Sequence, residues 1–246
     1  MDEIQQDFVI DEKFMPLFET EEFHPIRGYT SKLCVDSSIK PLKFRSRNLS
    51  FAMKPLVMTE LARMEAEGVI SKCTDETELS WISPIVNVKK PNGKLRVCGS
   101  YDLTINKAIS AGHYNIPDPE EIYSKMNGCK YFSKIDLHQA FWNVPLEKEY
   151  RKFTAINTPK GIYVFNVLPY GIASSPGIFN EFVQNHLIAG IENTCGFYDD
   201  IIIGTRTKAE HIIRVNEVLQ SCLKFGVTLN EKKSLFCKNE IPFLEY

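Results

Sequence analysis

The sequence has no stretch that could anchor it in a membrane and no leader that would direct it out of the cell. None of its apolar runs approaches the roughly 18 residues that a membrane-spanning helix requires. Its first residues, MDEIQQDFVIDEK, are acidic and lack the basic-then-apolar order of a secretory signal. These absences predict an intracellular protein, cytoplasmic or alternatively nuclear, with no membrane partner.

The sequence also lacks a cysteine pattern that would bind zinc or build a disulfide framework. Its seven cysteines are scattered, their number is odd, and no two have the CxxC spacing. We therefore expect reduced and mostly buried thiols. With 43% hydrophobic and 24% charged residues in 246 positions, and no internal repeat, the composition predicts a globular protein of one domain, or one domain with a lobe.

The formal net charge is only −2. A net charge that is slightly negative argues, taken alone, against a nucleic-acid partner. The charges are unevenly distributed, however. Residues 1–22 hold eight acidic side chains and one basic one, which leaves 23 acidic against 28 basic side chains in the rest of the chain. Basic residues cluster at Lys40, Lys43, Arg45 and Arg47, and again at Lys89, Lys90, Lys94 and Arg96. Each cluster is either a solvated face or a phosphate contact.

Strand and helix signals alternate along the chain, with mostly antiparallel returns. Helices are predicted at residues 53–70, 117–128, 174–187 and 207–226, and hairpins at 83–99 and 151–168. A further strand at 129–137 ends on Asp136, and residues 1–30 have few regular signals and are expected to be partly disordered. This order predicts an α+β fold with helices on one face of a sheet.

Both ends of the longest predicted helix are marked in the sequence. Thr207 and Glu210 have the spacing of a capping box, and Gly226 follows the last turn. An apolar stripe along this helix is predicted to face the core, and its members are Ile212, Val215, Leu219 and Cys222.

Three aspartates lie where predicted strands end or turn. Asp136 ends one strand, and the adjacent Asp199 and Asp200 lie in the turn of a later hairpin. If these strands are neighbours, three carboxylates converge and raise the pKa of at least one of them. Mg²⁺ prefers such hard oxygen ligands, and two ions about 4 Å apart serve nucleotidyl transfer. An Asp pair is also common in purely structural turns, so both interpretations stay open at this point.

Several longer motifs, in compatible order, resemble the reverse transcriptase of gypsy-type LTR retrotransposons. They are SPIVNVKKPNGKLRVCG, KIDLHQAFWNVPL, LPYGIASSP, FYDDIIIGT and GVTLNEKKSLF, and the similarity runs from about Leu17 to Tyr246. The resemblance implies the fingers and palm of a right-hand polymerase, with a mostly antiparallel palm sheet. It implies an RNA-directed DNA polymerase that adds deoxynucleotides to a primer 3′-hydroxyl on an RNA or DNA template.

The resemblance also implies a division of the chain. The expected parts are an acidic arm and lead-in at 1–50, fingers at about 51–110 and 144–173, and palm at about 111–143 and 174–246. The last four ranges make up a reverse transcriptase domain at 51–246. A thumb, a connection and an RNase H domain are not recognised, so weak processivity is expected.

The resemblance assigns the metal ligands. Asp136, Asp199 and Asp200 match the catalytic carboxylates that hold two Mg²⁺ ions, for which Mn²⁺ can substitute. The backbone carbonyl of Leu137 is the additional ligand that the family implies.

The nucleotide-binding residues implied by the resemblance are Lys90, Arg96, Leu137, Phe141, Tyr170, Gly171 and Lys233. Lys90 and Arg96 match residues that hold the incoming triphosphate, and Lys233 matches a lysine near it. Phe141 matches the ring that blocks a 2′-hydroxyl, and Tyr170 and Gly171 match the loop beneath the nucleotide. A core position for Phe141 and a solvated turn for Lys233 are the structural alternatives.

Three positions depart from the family pattern. Ser100 stands where the family has aspartate, Asp102 where it has a basic residue, and Glu245 where it has glycine. These departures favour a rival hypothesis, a non-catalytic or host-recruited remnant that acts as a binding module. A metal nuclease is a third hypothesis, which the basic hairpin and the LPYG loop disfavour. The sequence predicts no particular protein partner.

Overall fold

The chain divides into two compact units, which we describe separately. A computed structural model describes residues 8–18, 23–89, 93, 95–110 and 117–242. Unit 1 comprises Met1–Arg27, Tyr114–Ala140 and Phe179–Tyr246, and unit 2 comprises Gly28–His113 and Phe141–Ile178. No helix in the described ranges has the length and apolar character needed to cross a membrane.

The described residues contain nine strands and four α-helices. The strands are β1 (Ile70–Lys72), β2 (Ser83–Lys89), β3 (Leu95–Gly99), β4 (Tyr131–Asp136), β5 (Ile156–Thr158), β6 (Gly161–Phe165), β7 (Thr194–Phe197), β8 (Asp200–Thr205) and β9 (Leu235–Lys238). The helices are α1 (Met53–Ala66), α2 (Pro119–Met126), α3 (Ser175–Phe182), which continues into a π-helical turn at Val183–Leu187, and α4 (Lys208–Phe225).

Unit 2 contains a five-stranded sheet with the order β1-β6-β5-β2-β3, in which only the β2–β5 pair is parallel. The predicted hairpin at 83–99 forms as β2 and β3, although residues 90–92 of its turn lie outside the described residues. The second predicted hairpin starts later than expected, because Lys148–Thr154 form a 3₁₀ segment. Thr154 Oγ1 donates to the Arg151 carbonyl and accepts from the Phe165 amide, which stabilises that turn.

Helix α1 packs its buried side chains, Val57, Leu61 and Met64, into unit 2. Its last residue is Ala66, and Gly68, which the sequence predicts to close the helix, has φ +75° and leaves the helical conformation. Strand β1 starts two residues later, at Ile70.

Unit 1 contains a wholly antiparallel sheet with the order β7-β8-β4-β9. One face carries Ser133 and Ile203, which are opposite each other in register, and α4 lies against it through His211. On the other face, a Cβ atom added at Gly204 would collide with Met126 of α2. The α+β class and the antiparallel sheet are confirmed. The end of α2 also reaches the other face, because the glycine leaves room for it.

The predicted ends of α4 are confirmed. The Thr207 hydroxyl accepts the Glu210 amide at 3.3 Å, and Gly226 ends the helix at φ +71°. The predicted stripe is wrong at one position, since Ile212 is 36% exposed and His211 is fully buried in its place.

Buried His211 is held by a complete hydrogen-bond network. Thr205 Oγ1 donates to the Thr207 carbonyl, so it accepts from Nδ1–H of His211 at 3.1 Å. Ser133 Oγ accepts the Cys237 amide and forms a hydrogen bond of 2.7 Å with Nε2 of His211. Burial lowers the pKa of His211 to about 4 and so favours the neutral imidazole.

Within the N-terminal arm, which the sequence predicts to be partly disordered, Glu12–Phe18 form a 3₁₀ segment in unit 1. Phe14 and Leu17 are buried there, and the Leu17 carbonyl accepts the Leu229 amide at 2.7 Å. Apolar burial therefore orders a segment whose acidic surroundings gave no regular signal.

None of the seven cysteines forms a disulfide, but the expectation that most are buried is wrong. Only Cys195 and Cys222 are buried, and Cys34 is exposed.

Candidate functional site

The predicted carboxylates meet at one end of the unit 1 sheet. Asp136 is the last residue of β4 and Asp200 the first of β8, and the two are direct partners in the antiparallel register. The Leu137 amide donates to the Asp199 carbonyl at 2.8 Å, which continues the pairing past the strand ends. Because directly opposite residues share a face, the carboxylates of Asp136 and Asp200 lie on the same side of the sheet.

The turn that carries Asp199 is a tight two-residue connection between β7 and β8. Phe197 pairs with Asp200, so only Tyr198 and Asp199 lie between the strands. Tyr198 has φ +50°, a left-handed conformation that costs a non-glycine residue on the order of 1 kcal/mol. The Phe197 and Tyr198 rings meet edge to face at 4.7 Å, which supports this conformation.

Two lysines neutralise the facing carboxylates. Lys134 Nζ lies 3.1 Å from Asp200 Oδ2, and Lys233 Nζ lies 3.4 Å from Asp136 Oδ2. Burial raises the pKa of Asp200, the Lys134 ammonium opposes that rise, and the Asp136 carboxylate adds to it. The site thus holds partly desolvated negative charge that requires a positive partner.

The three aspartates predicted as metal ligands do not form one assembled cluster in the part of the chain that the structure describes. Across the described ranges, no three His, Cys, Asp or Glu side chains are grouped closely enough to hold a metal ion. Lysine ammonium groups instead contact Asp136 and Asp200. The aspartate oxygens themselves suit a hard divalent cation, because Mg²⁺ prefers carboxylate ligands. The three side chains are half-buried, and lysine ammonium groups already neutralise two of them.

In unit 2, three of the predicted nucleotide-binding residues contact one another in a row. The Arg96 guanidinium lies over the Tyr170 ring, 4.4 Å from its centroid, and the Tyr170 ring is 4.9 Å from that of Phe141. Both contacts are in the range of favourable cation–π and aromatic interactions. Phe141 is only half-buried, so the alternative that it is a core residue does not describe it.

The loop that contains Tyr170 and Gly171 is fixed by a residue that sequence reasoning missed. The side chain of Asn106 donates to the Gly171 carbonyl at 2.8 Å and accepts the Ala173 amide at 2.9 Å. Gly171 has φ +95°, and a Cβ atom there would lie 3.2 Å from the Gly99 carbonyl oxygen. An isolated asparagine gives no local signal, because its partners are about 65 residues away in the chain.

Two of the residues that depart from the family pattern contact each other. Ser100 Oγ donates to Asp102 Oδ1 at 3.0 Å and accepts Arg47 Nη2 at 3.4 Å. Asp102 stands where the family pattern has a basic residue, so a positive charge is missing there. Arg47 brings a positive charge close to the same place. Two other residues of interest, Lys90 and Glu245, lie outside the described residues.

Comparisons with known proteins agree with this geometry. The family model described as reverse transcriptase (RNA-dependent DNA polymerase) matches residues 88–246. The enzymatic polyprotein of Cauliflower mosaic virus (strain Strasbourg) is 28% identical, over 93% of this chain and 36% of its own length. An uncharacterized protein of Caenorhabditis elegans is 30% identical, over 84% of this chain and 16% of its own length.

Solved structures with the same fold come from foamy virus. The protease-reverse transcriptase in complex with an RNA/DNA hybrid has a TM-score of 0.82 and 25% identity, over 94% of this chain and 31% of that chain. The same protein with dsDNA has a TM-score of 0.79 and 26% identity, over 94% of this chain and 48% of that chain. The chain thus spans about a third of the Cauliflower mosaic virus polyprotein, at 36%.

Proposed function

Because the chain belongs to the reverse transcriptase family, we propose that it is an RNA-directed DNA polymerase domain of a gypsy-type LTR retroelement. It adds deoxynucleotides to a primer 3′-hydroxyl on an RNA or DNA template. The observation that carries the proposal is the pairing of Asp136 with Asp200, extended by the Leu137–Asp199 hydrogen bond. A cytoplasmic or nuclear location, where templates and deoxynucleotides occur, belongs to the same proposal.

Two Mg²⁺ ions, or Mn²⁺ in their place, fit this chemistry. Asp136, Asp199 and Asp200 would hold them with the Leu137 carbonyl, and the bound ions would supply positive charge to the attacking hydroxyl and the leaving pyrophosphate. Lys134 favours the ionised form of Asp200 against the effect of burial. The lysine therefore keeps the carboxylate in the form that binds a cation.

Unit 2 contributes recognition of the deoxynucleotide. Arg96, together with Lys90, contacts the triphosphate, and the Tyr170 ring orients the Arg96 guanidinium. Phe141 presents a ring edge that excludes a 2′-hydroxyl. Gly171 allows close approach of the loop backbone, since it carries no Cβ atom. In unit 1, Lys233 exchanges its Asp136 contact for a phosphate oxygen.

A non-catalytic remnant is the second candidate. The observations that favour it are the Ser100 and Asp102 substitutions and the absence, in the described part of the chain, of a side-chain group gathered around one metal position. A binding module of this kind would keep the fold and lose extension activity.

Primer extension decides between these candidates. The purified chain, a primed RNA template, deoxynucleotides and Mg²⁺ or Mn²⁺ should give extended primer. Asp199→Asn should abolish extension, whereas the control Asp75→Asn, in an exposed turn, should leave it unchanged. Folded wild-type protein that extends nothing at high concentration supports the remnant. Cleavage without extension supports a nuclease.

A further inference from the structure

A buried tryptophan of unit 2, which has no role in the proposed chemistry so far, lies next to the predicted nucleotide-binding residues. Trp142 follows Phe141 directly in the chain, and it is 5% exposed. Its ring meets the Tyr170 ring edge to face, with 5.9 Å between the centroids, and the Arg63 guanidinium lies over it at 5.7 Å. Trp142 therefore connects helix α1, which carries Arg63, to the loop that carries Tyr170.

The guanidinium of Arg63 is held in one orientation by two carboxylates of the same helix. Nε and Nη2 donate to the two oxygens of Glu60 at 2.9 and 2.7 Å, and Nη1 lies 2.6 Å from both oxygens of Glu67. The hydrogen bond to Glu60 is the main cause that raises the pKa of Arg63, so the group stays charged. Such pairs on a partly exposed helix contribute little to stability. Their effect here is geometric, because a planar guanidinium bonded through three nitrogens keeps its face over the indole.

Tyr170 in turn contacts the two residues that the proposed function assigns to the nucleotide. Its ring lies 4.4 Å from the Arg96 guanidinium and 4.9 Å from the Phe141 ring. The Val144 amide donates to the Phe141 carbonyl at 3.1 Å, which closes a turn that carries both Phe141 and Trp142. Two consecutive rings of one turn therefore contact the same tyrosine. The position of Tyr170 thus determines where Arg96 and Phe141 lie.

The contact between Arg63 and Trp142 is more than the filling of core space. Among aromatic side chains, the indole ring attracts a cation most strongly, and the distance of 5.7 Å lies within the range of this attraction. The attraction is larger where the groups are shielded from water, and Trp142 is buried. A fixed cation therefore holds the indole ring in place, in addition to the packing around it.

We propose that Trp142 is a positioning residue for nucleotide selection, anchored by Arg63 and acting through Tyr170 on Arg96 and Phe141. This inference rests on the proposed function, in which Arg96 binds the triphosphate and Phe141 excludes a 2′-hydroxyl. Trp142 is buried, so it acts through its neighbours rather than by contact with the nucleotide. Without the indole, the Tyr170 ring gains room to move, and both the guanidinium and the excluding ring lose their fixed positions.

Nucleotide binding without turnover tests this proposal. A primer that lacks a 3′-hydroxyl, annealed to an RNA template, allows a base-labelled deoxynucleoside triphosphate to bind in Mg²⁺ without being added. Fluorescence anisotropy then measures its dissociation constant and that of the matching ribonucleotide. Trp142→Leu should raise the constant for the deoxynucleotide about fivefold, as expected for the loss of one aromatic contact. The constant for the ribonucleotide should change less, because weaker exclusion of the 2′-hydroxyl offsets the weaker hold on the triphosphate.

Three further variants separate the anchor from the ring. Trp142→Phe keeps an aromatic ring against Tyr170, so its preference for the deoxynucleotide should lie between those of Trp142→Leu and wild type. Arg63→Met leaves the indole and the core in place, and it should reduce the preference about twofold, since it removes only a cation–π contact. The matched control Arg214→Met removes two ion pairs of helix α4, those with Glu192 and Glu217, and should leave both dissociation constants unchanged.

A purely structural role of Trp142 gives a different result. Partial unfolding lowers the fraction of binding-competent protein equally for both nucleotides, so it reduces the signal amplitude and leaves the ratio of the two dissociation constants at the wild-type value. Melting curves report the stability of each variant beside the binding data. A wild-type ratio in both Trp142→Leu and Arg63→Met, or equal changes in Arg63→Met and Arg214→Met, would overturn the proposal.

These measurements also separate the failure of this inference from that of the proposed function. Wild type that extends no primer, yet prefers the deoxynucleotide and loses that preference in Trp142→Leu, would refute the polymerase and keep the positioning role. Normal extension, with wild-type ratios in Trp142→Leu and Arg63→Met, would refute the positioning role and keep the polymerase. Wild type that neither extends a primer nor binds either nucleotide would overturn both.

Discussion

Lys134 Nζ lies 3.1 Å from Asp200 Oδ2, although the register pairs Lys134 with Ile202 and pairs Asp200 with Asp136. The lysine and the aspartate are therefore diagonal neighbours on one face of the sheet. A cation supplied by the strand itself offsets the repulsion between two facing carboxylates. The protein thus carries part of the charge compensation that its proposed metal ions would provide.

Removing this cation should make stability more dependent on a divalent metal. Lys134→Met leaves the Asp136 and Asp200 carboxylates facing each other, which we expect to cost about 1 kcal/mol without metal because the pair is half-buried. That corresponds to a fall of about 2–4 °C in the apparent melting temperature. Mg²⁺ should restore most of the lost melting temperature, because in this variant the metal no longer competes with the Lys134 ammonium group for Asp200.

Melting curves with EDTA and with Mg²⁺ measure this effect. Lys130→Met is the matched control, since Lys130 is exposed and lies just before the same strand. If Mg²⁺ raises the melting temperatures of wild type and Lys134→Met by equal amounts, Lys134 does not compete with a metal at Asp200.

The Tyr170 ring should matter for deoxynucleotide binding through its contact with Arg96. Tyr170→Phe keeps the ring under the guanidinium, so its KM for deoxynucleotides should stay near wild type. Tyr170→Leu removes the cation–π contact at 4.4 Å and should raise KM about fivefold, a loss on the order of 1 kcal/mol. Steady-state primer extension measures both. A similar KM for the two variants would show that the ring does not orient Arg96.

Phe141 should determine the choice of sugar. Phe141→Ala opens the space that its ring fills, so ribonucleotide incorporation relative to deoxynucleotide incorporation should rise at least about tenfold. Phe141→Tyr keeps the ring and serves as the control. The Phe141 ring also lies 4.9 Å from the Tyr170 ring, so its loss can lower activity toward both kinds of nucleotide. The ratio of kcat/KM for ribonucleotides to kcat/KM for deoxynucleotides distinguishes a change in sugar selection from such a general loss. An unchanged ratio contradicts the role as a filter.

The buried imidazole of His211 predicts a specific loss of stability in acid. In the unfolded chain the pKa of a histidine is near 6.5, and in the fold the pKa of His211 is about 4. The unfolded state therefore binds more protons between these values. The contribution of neutral His211 to the free energy of unfolding is therefore complete above pH 6.5. It decreases as the pH falls toward 4, by up to about 3 kcal/mol.

Denaturant unfolding at a series of pH values checks this prediction. His211→Gln should be less stable at pH 7, because it loses contacts to Ser133 and Thr205, but its free energy of unfolding should vary less between pH 6.5 and 4. His24→Gln, at an exposed position, should follow the wild-type profile. Parallel profiles for wild type and His211→Gln would show that this imidazole does not govern the acid response.

The sequence predicted the features that depend on near neighbours in the chain. The Thr207 cap and the Gly226 end of α4 are confirmed, as are the α+β class and the β2–β3 hairpin. Each is determined by residues only a few positions apart. The reverse transcriptase family is also confirmed, whereas the gypsy-type subfamily, the fingers and palm boundaries and the individual site roles remain predictions.

The features that the sequence could not predict depend on distant partners. His211 replaces Ile212 in the core because hydroxyls from two strands satisfy the imidazole, and periodicity alone favours the apolar residue. The Asn106 contacts to the 171–173 loop depend on the same kind of long-range pairing. The lysine partner of Asp200 follows from sheet register, which is known only once the strands are paired.

The division of the chain has a consequence for experiments that use fragments. Unit 1 is drawn from three separate stretches and unit 2 from two, and the boundary between Ile178 and Phe179 falls inside helix α3. No single cut therefore releases either unit as an intact contiguous piece. Because residues far apart in the chain must meet before either core closes, folding depends on non-local contacts, which slow it. Limited proteolysis should consequently give complementary nicked fragments that stay associated, and each fragment expressed alone should aggregate.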